Sequence, residues 1–180
     1  MFISSQDIDE TDLRSIDVKA PDFVLMTEKG EKWRLSDYLG NVVALLFYPQ
    51  NETLVCTRQL CSIRDNWTDY LDTKAIVVGI LPAIVKEQNS FGKRYNLPLP
   101  LLADVDGKIT QVYRKHWLMA LFLTRAIVII DAKGYVRTRR IMLRAFRPAD
   151  RKVITSILAA RADAVSEKYD LLVKKYRKAD

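Results

Sequence analysis

Apolar residues in this chain gather into short unbroken runs, and the stretches between the runs repeat at helical spacing. Residues 42–48 and 75–81 are continuous apolar runs, the pattern of strands buried on both faces of a sheet. Between them Cys56, Leu60, Ile63, Trp67 and Leu71 recur at steps of four and three, which predicts one helix with those positions facing inward. A second helix is expected over residues 84–95, with Gln88, Phe91 and Tyr95 in register and a stop at Asn96-Leu97-Pro98. Residues 23–26 and 32–35 alternate around Lys29-Gly30-Glu31 and predict an N-terminal β-hairpin. Residues 36–40 read as a capped helical turn closed by glycine.

The rest of the chain continues the alternation. Residues 101–103 are a short strand, and 104–113 a turn followed by a helical segment. A hairpin is expected from residues 126–130 and 135–141 around Asp131-Ala132-Lys133-Gly134, and Pro148-Ala149-Asp150 opens a final helix. Strands alternating with helices and ending in a hairpin predict an α/β fold on a central mixed β-sheet flanked by α-helices. The chain divides into three segments: a polar arm over 1–17, one domain over 18–162, and a basic C-terminal helical tail over 163–180. In that tail Val165, Tyr169, Leu172 and Tyr176 fall at helical spacing.

Composition narrows the class. With 180 residues, 49% of them hydrophobic and 28% charged, the chain can bury one full core without staples. Its two cysteines are no secreted disulfide framework. The acidic N-terminus has neither the basic nor the apolar region of a signal peptide. The longest apolar stretch, 117–130, is too short for a bilayer and contains Arg125, so no membrane is expected and a cytoplasmic setting is the default. The net charge of +7 collects at Arg137, Arg139, Arg140, Arg144 and Arg147 and again in the tail. Without interleaved aromatics or a binding motif, this reads as a solvated face and not as a nucleic-acid site.

The chemistry points to one short segment. Cys56 and Cys61 both come after the strand that stops at Pro49, and Cys56 falls at the start of the next helix, where backbone N–H groups and the helix dipole stabilise a thiolate. Thr53 offers a hydroxyl nearby, and Pro49 removes a backbone donor and closes the strand. Arg125 is alone in an apolar context, and a buried guanidinium needs a partner such as a thiolate. Cys61 lies about 100° round the helix from Leu60, beside Arg64 and Asp65, so the two thiols occupy different faces. Three other readings stand beside this one. A lone cysteine can be a small buried hydrophobe. A zinc site would have only His116 to add to the pair. Disulfide exchange of the Cys-x-x-Cys kind does not match the spacing Cys-x-x-x-x-Cys found here.

Pro49, Thr53 and Cys56 resemble the Pro-x-x-x-Thr-x-x-Cys signature of the peroxiredoxins, the AhpC/TSA superfamily, and Arg125 six residues before Asp131 resembles that family's distant arginine. Ala20-Pro21-Asp22-Phe23, Leu35-Ser36-Asp37-Tyr38, Tyr95-Asn96-Leu97-Pro98 and Asp104-Val105-Asp106-Gly107 are similar to further landmarks in the same order, over roughly residues 18–160. A second cysteine five positions after the first resembles the bacterioferritin-comigratory-protein subfamily. The chain departs from many relatives at Leu54-Val55, where they carry Pro-Gly, at Gln59, where glutamate is common, and at residues 80–83.

The resemblance implies a thioredoxin-like fold and a thiol peroxidase without metal, haem or flavin. It implies Cys56 as the peroxidatic nucleophile, Thr53, Pro49 and Arg125 around the peroxide, and Cys61 as the resolving cysteine. A thioredoxin-like donor would reduce the resulting disulfide, and the molecule would be a monomer or a homodimer. A redox sensor without turnover, or a thiol–disulfide exchange protein on the same fold, is the other class to weigh. Geometry adds a condition to the disulfide. Residues five apart in an intact helix are separated by about 7.5 Å along the axis and about 140° around it. Their Cα atoms then exceed the ~7 Å limit for a disulfide, so the helix has to open before Cys61 meets Cys56.

Overall fold

The computed structural model describes residues 18–49, 54–114, 124–143 and 149–162. The arm over 1–17, the tail over 163–180 and the apolar segment 117–123 all lie outside the described residues.

Eight strands form one sheet: β1 (Val18–Lys19), β2 (Val24–Thr27), β3 (Lys32–Arg34), β4 (Val43–Phe47), β5 (Ile76–Leu81), β6 (Leu101–Ala103), β7 (Thr124–Ile130) and β8 (Tyr135–Leu143). Their spatial order is β1-β8-β7-β4-β5-β6-β2-β3. β4 pairs parallel with β5, and β5 with β6, while β7 lies antiparallel against β4 and carries β8. The helices are α1 (Leu54–Asp65), α2 (Trp67–Asp72), α3 (Val85–Tyr95), α4 (Lys108–Arg114) and α5 (150–162), with a 3-10 turn over Leu35–Tyr38. The parallel β4-β5-β6 unit needs crossover helices, and α1 with α2 and then α3 supply them.

Every residue of β4 is buried, as its unbroken apolar run predicts. Alternation along the strand divides those residues between two cores. Ala44 and Leu46 join Leu60, Ile63, Tyr70, Phe91, Val153 and Ile157 on the face covered by α1, α2, α3 and α5. Val43, Leu45 and Phe47 join Phe23, Trp33, Leu35, Val128 and Tyr113 on the other. The sheet is therefore the wall between two apolar layers, and β4 is fixed from both sides.

The predicted hairpin is present, and three other details differ from the sequence reading. That hairpin forms as β2 and β3, and β2 also pairs antiparallel with β6, so the hairpin extends the sheet. Val18 and Lys19 form β1, which pairs with the start of β8, a strand that the sequence pattern does not predict. The helix expected to carry Leu71 inward breaks at Asn66, whose φ of −107° and ψ of 22° are not helical. That break resets the phase, so Tyr70 is buried at 1% exposure and Leu71 is 57% exposed.

The arginine cluster is the third. It is not a uniformly solvated face, because β8 directs alternate side chains to opposite sides of the sheet. Arg139 is buried, and Arg137 Nε donates to the buried Asp131 carboxylate at 2.6 Å. The remaining Asp131 oxygen accepts the N–H groups of Lys133 and Tyr135 and closes the β7–β8 turn. Arg144 and Arg147 lie outside the described residues.

Candidate active site

The site is built where β4 hands the chain to α1. Pro49, which comes after β4 and Tyr48, is buried. Its fixed φ and missing N–H end the strand and turn the chain toward the helix. Because α1 starts at Leu54, Cys56 occupies the N-terminal turn, where backbone N–H groups have no intrahelical acceptor and favour an anion. Thr53 immediately precedes this helix and lies outside the described residues.

Arg125 reaches the same place from a distant part of the chain. β7 runs antiparallel to β4, and their last paired step is Phe47 with Ala126. Arg125 therefore stands one residue further on, level with the end of β4 where the chain continues into Tyr48 and Pro49. Its side chain is only 1% exposed. A guanidinium taken so completely out of water requires hydrogen bonds and compensating negative charge or π density. Nη1 donates a short hydrogen bond to Oε1 of Gln59, and Cζ lies 5.6 Å from the centroid of the Tyr48 ring, a cation–π distance.

Gln59 is the residue that sequence reasoning undervalues, since it registers there only as a departure from the family's glutamate. It is 3% exposed and lies one turn after Cys56 in α1. Positions three apart on a helix are neighbours on its surface. By binding Gln59, Arg125 is held against the flank of α1 to which position 56 belongs. The available signal was a polar residue beside Leu60 and Ile63, two members of the inward stripe that are fully buried.

This bond carries a testable consequence. Gln59→Leu should lower the stability of the reduced protein by about 1.5–3 kcal/mol, because it takes this acceptor away from a buried charged donor. At about 2–4 °C per kcal/mol for a chain of this size, the midpoint of thermal unfolding should fall by several degrees. A midpoint unchanged from wild type would mean that the hydrogen bond contributes nothing.

Cys61 is half-buried, with a free thiol, on the same helix as Cys56. Continuous α1 from Leu54 to Asp65 keeps the two positions apart, as the helical spacing requires. Arg64, one turn beyond Cys61, is held in its charged form first by its hydrogen bond to Asp65, with the nearby Cys61 adding to the effect. Its Nη1 also donates to the Tyr95 carbonyl at 2.8 Å and so ties α1 to the end of α3. The structure thus brings together Pro49, Arg125, the turn holding Cys56, and the unforeseen Gln59 and Tyr48. Cys61 stays separate.

Comparison with known proteins identifies the family of the chain. The AhpC/TSA family profile matches residues 16–139. The peroxiredoxin bcp of Coxiella burnetii (strain RSA 493 / Nine Mile phase I) is 42% identical over 95 residues, which is 53% of this chain and 63% of that protein. Peroxiredoxin Bcp of Bacillus subtilis (strain 168) is 32% identical over 122 residues, covering 64% of this chain and 78% of its own length. The chain thus spans just under two thirds of the first of these relatives and more than two thirds of the second. Among solved structures, peroxidoxin BcpB from Mycobacterium tuberculosis superimposes with a TM-score of 0.64 at 25% identity, over 81% of this chain and 95% of that one. The sheet order, the strand-to-helix cysteine and the matched profile have one explanation: this chain belongs to the AhpC/TSA family, the peroxiredoxins, with its likeness on the bacterioferritin-comigratory side.

Proposed function

We propose that this protein is a thiol-dependent peroxidase that reduces hydrogen peroxide and organic hydroperoxides, with Cys56 as its nucleophile. The observation that carries the reading is the buried Arg125 guanidinium, held by Gln59 against the helix turn that begins with the Cys56 segment. A fixed cation and a helix N-terminus converge on one place, which favours a thiolate before reaction and the departing oxygen anion during it.

In the first step the Cys56 thiolate attacks one peroxide oxygen. An S–O bond forms and the O–O bond breaks. The electron pair of that bond leaves with the second oxygen, which takes a proton and departs as water or an alcohol. Sulfur is oxidised by two electrons to the sulfenic acid. Thr53 and Arg125 hold the peroxide, and Pro49 keeps water away from the thiolate. In the second step the Cys61 sulfur attacks the Cys56 sulfur, the S–S bond forms, and the sulfenic oxygen leaves as water. A thioredoxin-like dithiol then exchanges with this disulfide, becoming oxidised itself and returning both cysteines to the thiol state. Such a reductant fits a cytoplasmic setting. Among the described residues no helix is long and apolar enough to cross a membrane.

The test is peroxide-dependent NADPH consumption with thioredoxin and its reductase. Wild type should turn over repeatedly, whereas Cys56→Ser should fall to background. A single stoichiometric oxidation followed by arrest would instead identify a sensor.

A further inference from the structure

A polar cluster outside the Arg125 site binds the middle of α1 to the last described helix. Asp150, the first residue of α5, receives the Ser62 hydroxyl on Oδ2 in a short hydrogen bond. Asn66 Nδ2 approaches the same oxygen at 3.3 Å, and the Tyr70 hydroxyl donates to Oδ1 at 2.8 Å. Burial, reinforced by the Asp150 hydrogen bond, pushes the Tyr70 phenol well above its ordinary range, so it remains a donor. Asn66 also closes on Ser62 from the other side, with both its backbone N–H and its Nδ2 reaching the Ser62 carbonyl, at 3.0 and 2.9 Å. One carboxylate thus grips three residues across the α1–α2 break, and the first of them comes directly after Cys61. Behind the clamp, α5 is seated in the core by Val153 and Ile157, which gives Asp150 a rigid base.

We infer that Asp150 is a positioning residue for Cys61, setting the point at which redox-linked unwinding of α1 stops. This rests on the reading that Cys61 resolves Cys56. Residues 54–61 can then uncoil while Ser62 and everything after it stays fixed. Cys61 is held at the edge of the fixed part, and Cys56 travels to it. Confinement keeps the Ile63 side of α1 in the core during the cycle, so exposure of apolar surface is limited to the first turns.

The inference specifies a boundary that amide exchange can locate. The N–H groups of residues 62–65 bond to carbonyls of residues 58–61, so they lose protection when those turns uncoil. Asn66 N–H bonds to the Ser62 carbonyl and Tyr70 N–H to the Asn66 carbonyl, so both should remain protected in the oxidised wild type. In Asp150→Ala, oxidation should extend the loss through Asn66 to Tyr70, with protection there falling about tenfold or more. Ser62→Ala cuts only the first leg and leaves Asp150 its bonds to Asn66 and Tyr70, so it serves even if Asp150→Ala folds poorly. It should move the boundary past Asn66.

The shift should be absent before peroxide is added, since a merely structural tether would lower protection equally in both redox states. A boundary that stays at Asn66 in both oxidised variants, or moves equally in the reduced ones, overturns the inference. Peptide mapping of the same samples separates this from failure of its premise: if oxidised wild type contains no Cys56–Cys61 link, Cys61 is not the resolver and the inference falls with that reading.

Discussion

Arg125→Leu should reduce the second-order rate constant for Cys56 oxidation by about 10²–10³, the usual cost of deleting one preorganised donor to a developing anion. The reason lies in where the charge is held. Arg125 is 1% exposed and bound to Gln59, so its field acts on the Cys56 turn with little screening by water. Leucine fills much of the same space but supplies neither charge nor N–H groups. Arg125→Lys keeps a charge, yet it cannot reproduce the planar fork that binds Gln59 and, in the proposed mechanism, would also hold the peroxide, so it should recover only part of the rate. Stopped-flow measurement of peroxide consumption in a single turnover checks both variants. Gln59→Leu provides the control for simple destabilisation, since it removes the same bond and retains the cation. If Arg125→Leu reacted within twofold of wild type, the arginine would be a core residue without a part in the chemistry.

Cys61→Ser should behave in the opposite way. Its first reaction with peroxide should match wild type, because Cys61 is on a different flank of α1 and takes no part in that step. Sulfenic acid should then persist on Cys56, visible as an added oxygen by mass spectrometry. Steady-state turnover with thioredoxin should fall about 100-fold, because the intramolecular partner and its high effective concentration are lost. Unchanged turnover would show that an external thiol resolves Cys56 and that Cys61 is a bystander.

The two variants probe parts of the site that were unequally legible in the sequence. The strand end at Pro49 and the helical place of Cys56 could be read locally, because spacing along the chain marks a strand end and a helix start without reference to anything distant. Arg125 could be nominated, since an arginine inside an apolar run demands a partner, but its partner could not be named. Gln59 is 66 positions away from it, and no periodicity connects them. The same limit applies to the clamp. Ser62 and Asp150 are 88 positions apart, and each alone looks like an ordinary helix-surface residue.

Errors at the secondary-structure level have a similar origin. Periodicity carried the inward stripe on to Leu71 because stepping by threes and fours cannot register a break. The non-helical backbone at Asn66 rotates α2 relative to α1, and Tyr70 replaces Leu71 in the core. The β8 arginines looked solvated because charge density in a sequence does not reveal which face of a sheet each side chain will meet. In the fold, Arg139 turns into the sheet and Arg137 closes on Asp131.

By itself, then, the sequence determined most of the elements and the place of Cys56 between a strand end and a helix start. Continuous apolar runs of this length form strands buried on both faces, and helical spacing that begins after the strand-ending Pro49 puts Cys56 near a helix start. Sheet order decided the rest. Placing β7 beside β4 brings Arg125 level with the end of the strand that leads into α1, and seating α5 against α1 puts Asp150 over Ser62. Those meetings are long-range, made by the burial of two apolar layers on one sheet, and local residue patterns contain no record of them. The cysteine pair was therefore written in the chain, while the meeting of Arg125 with Gln59 and of Ser62 with Asp150 belongs to the folded molecule alone.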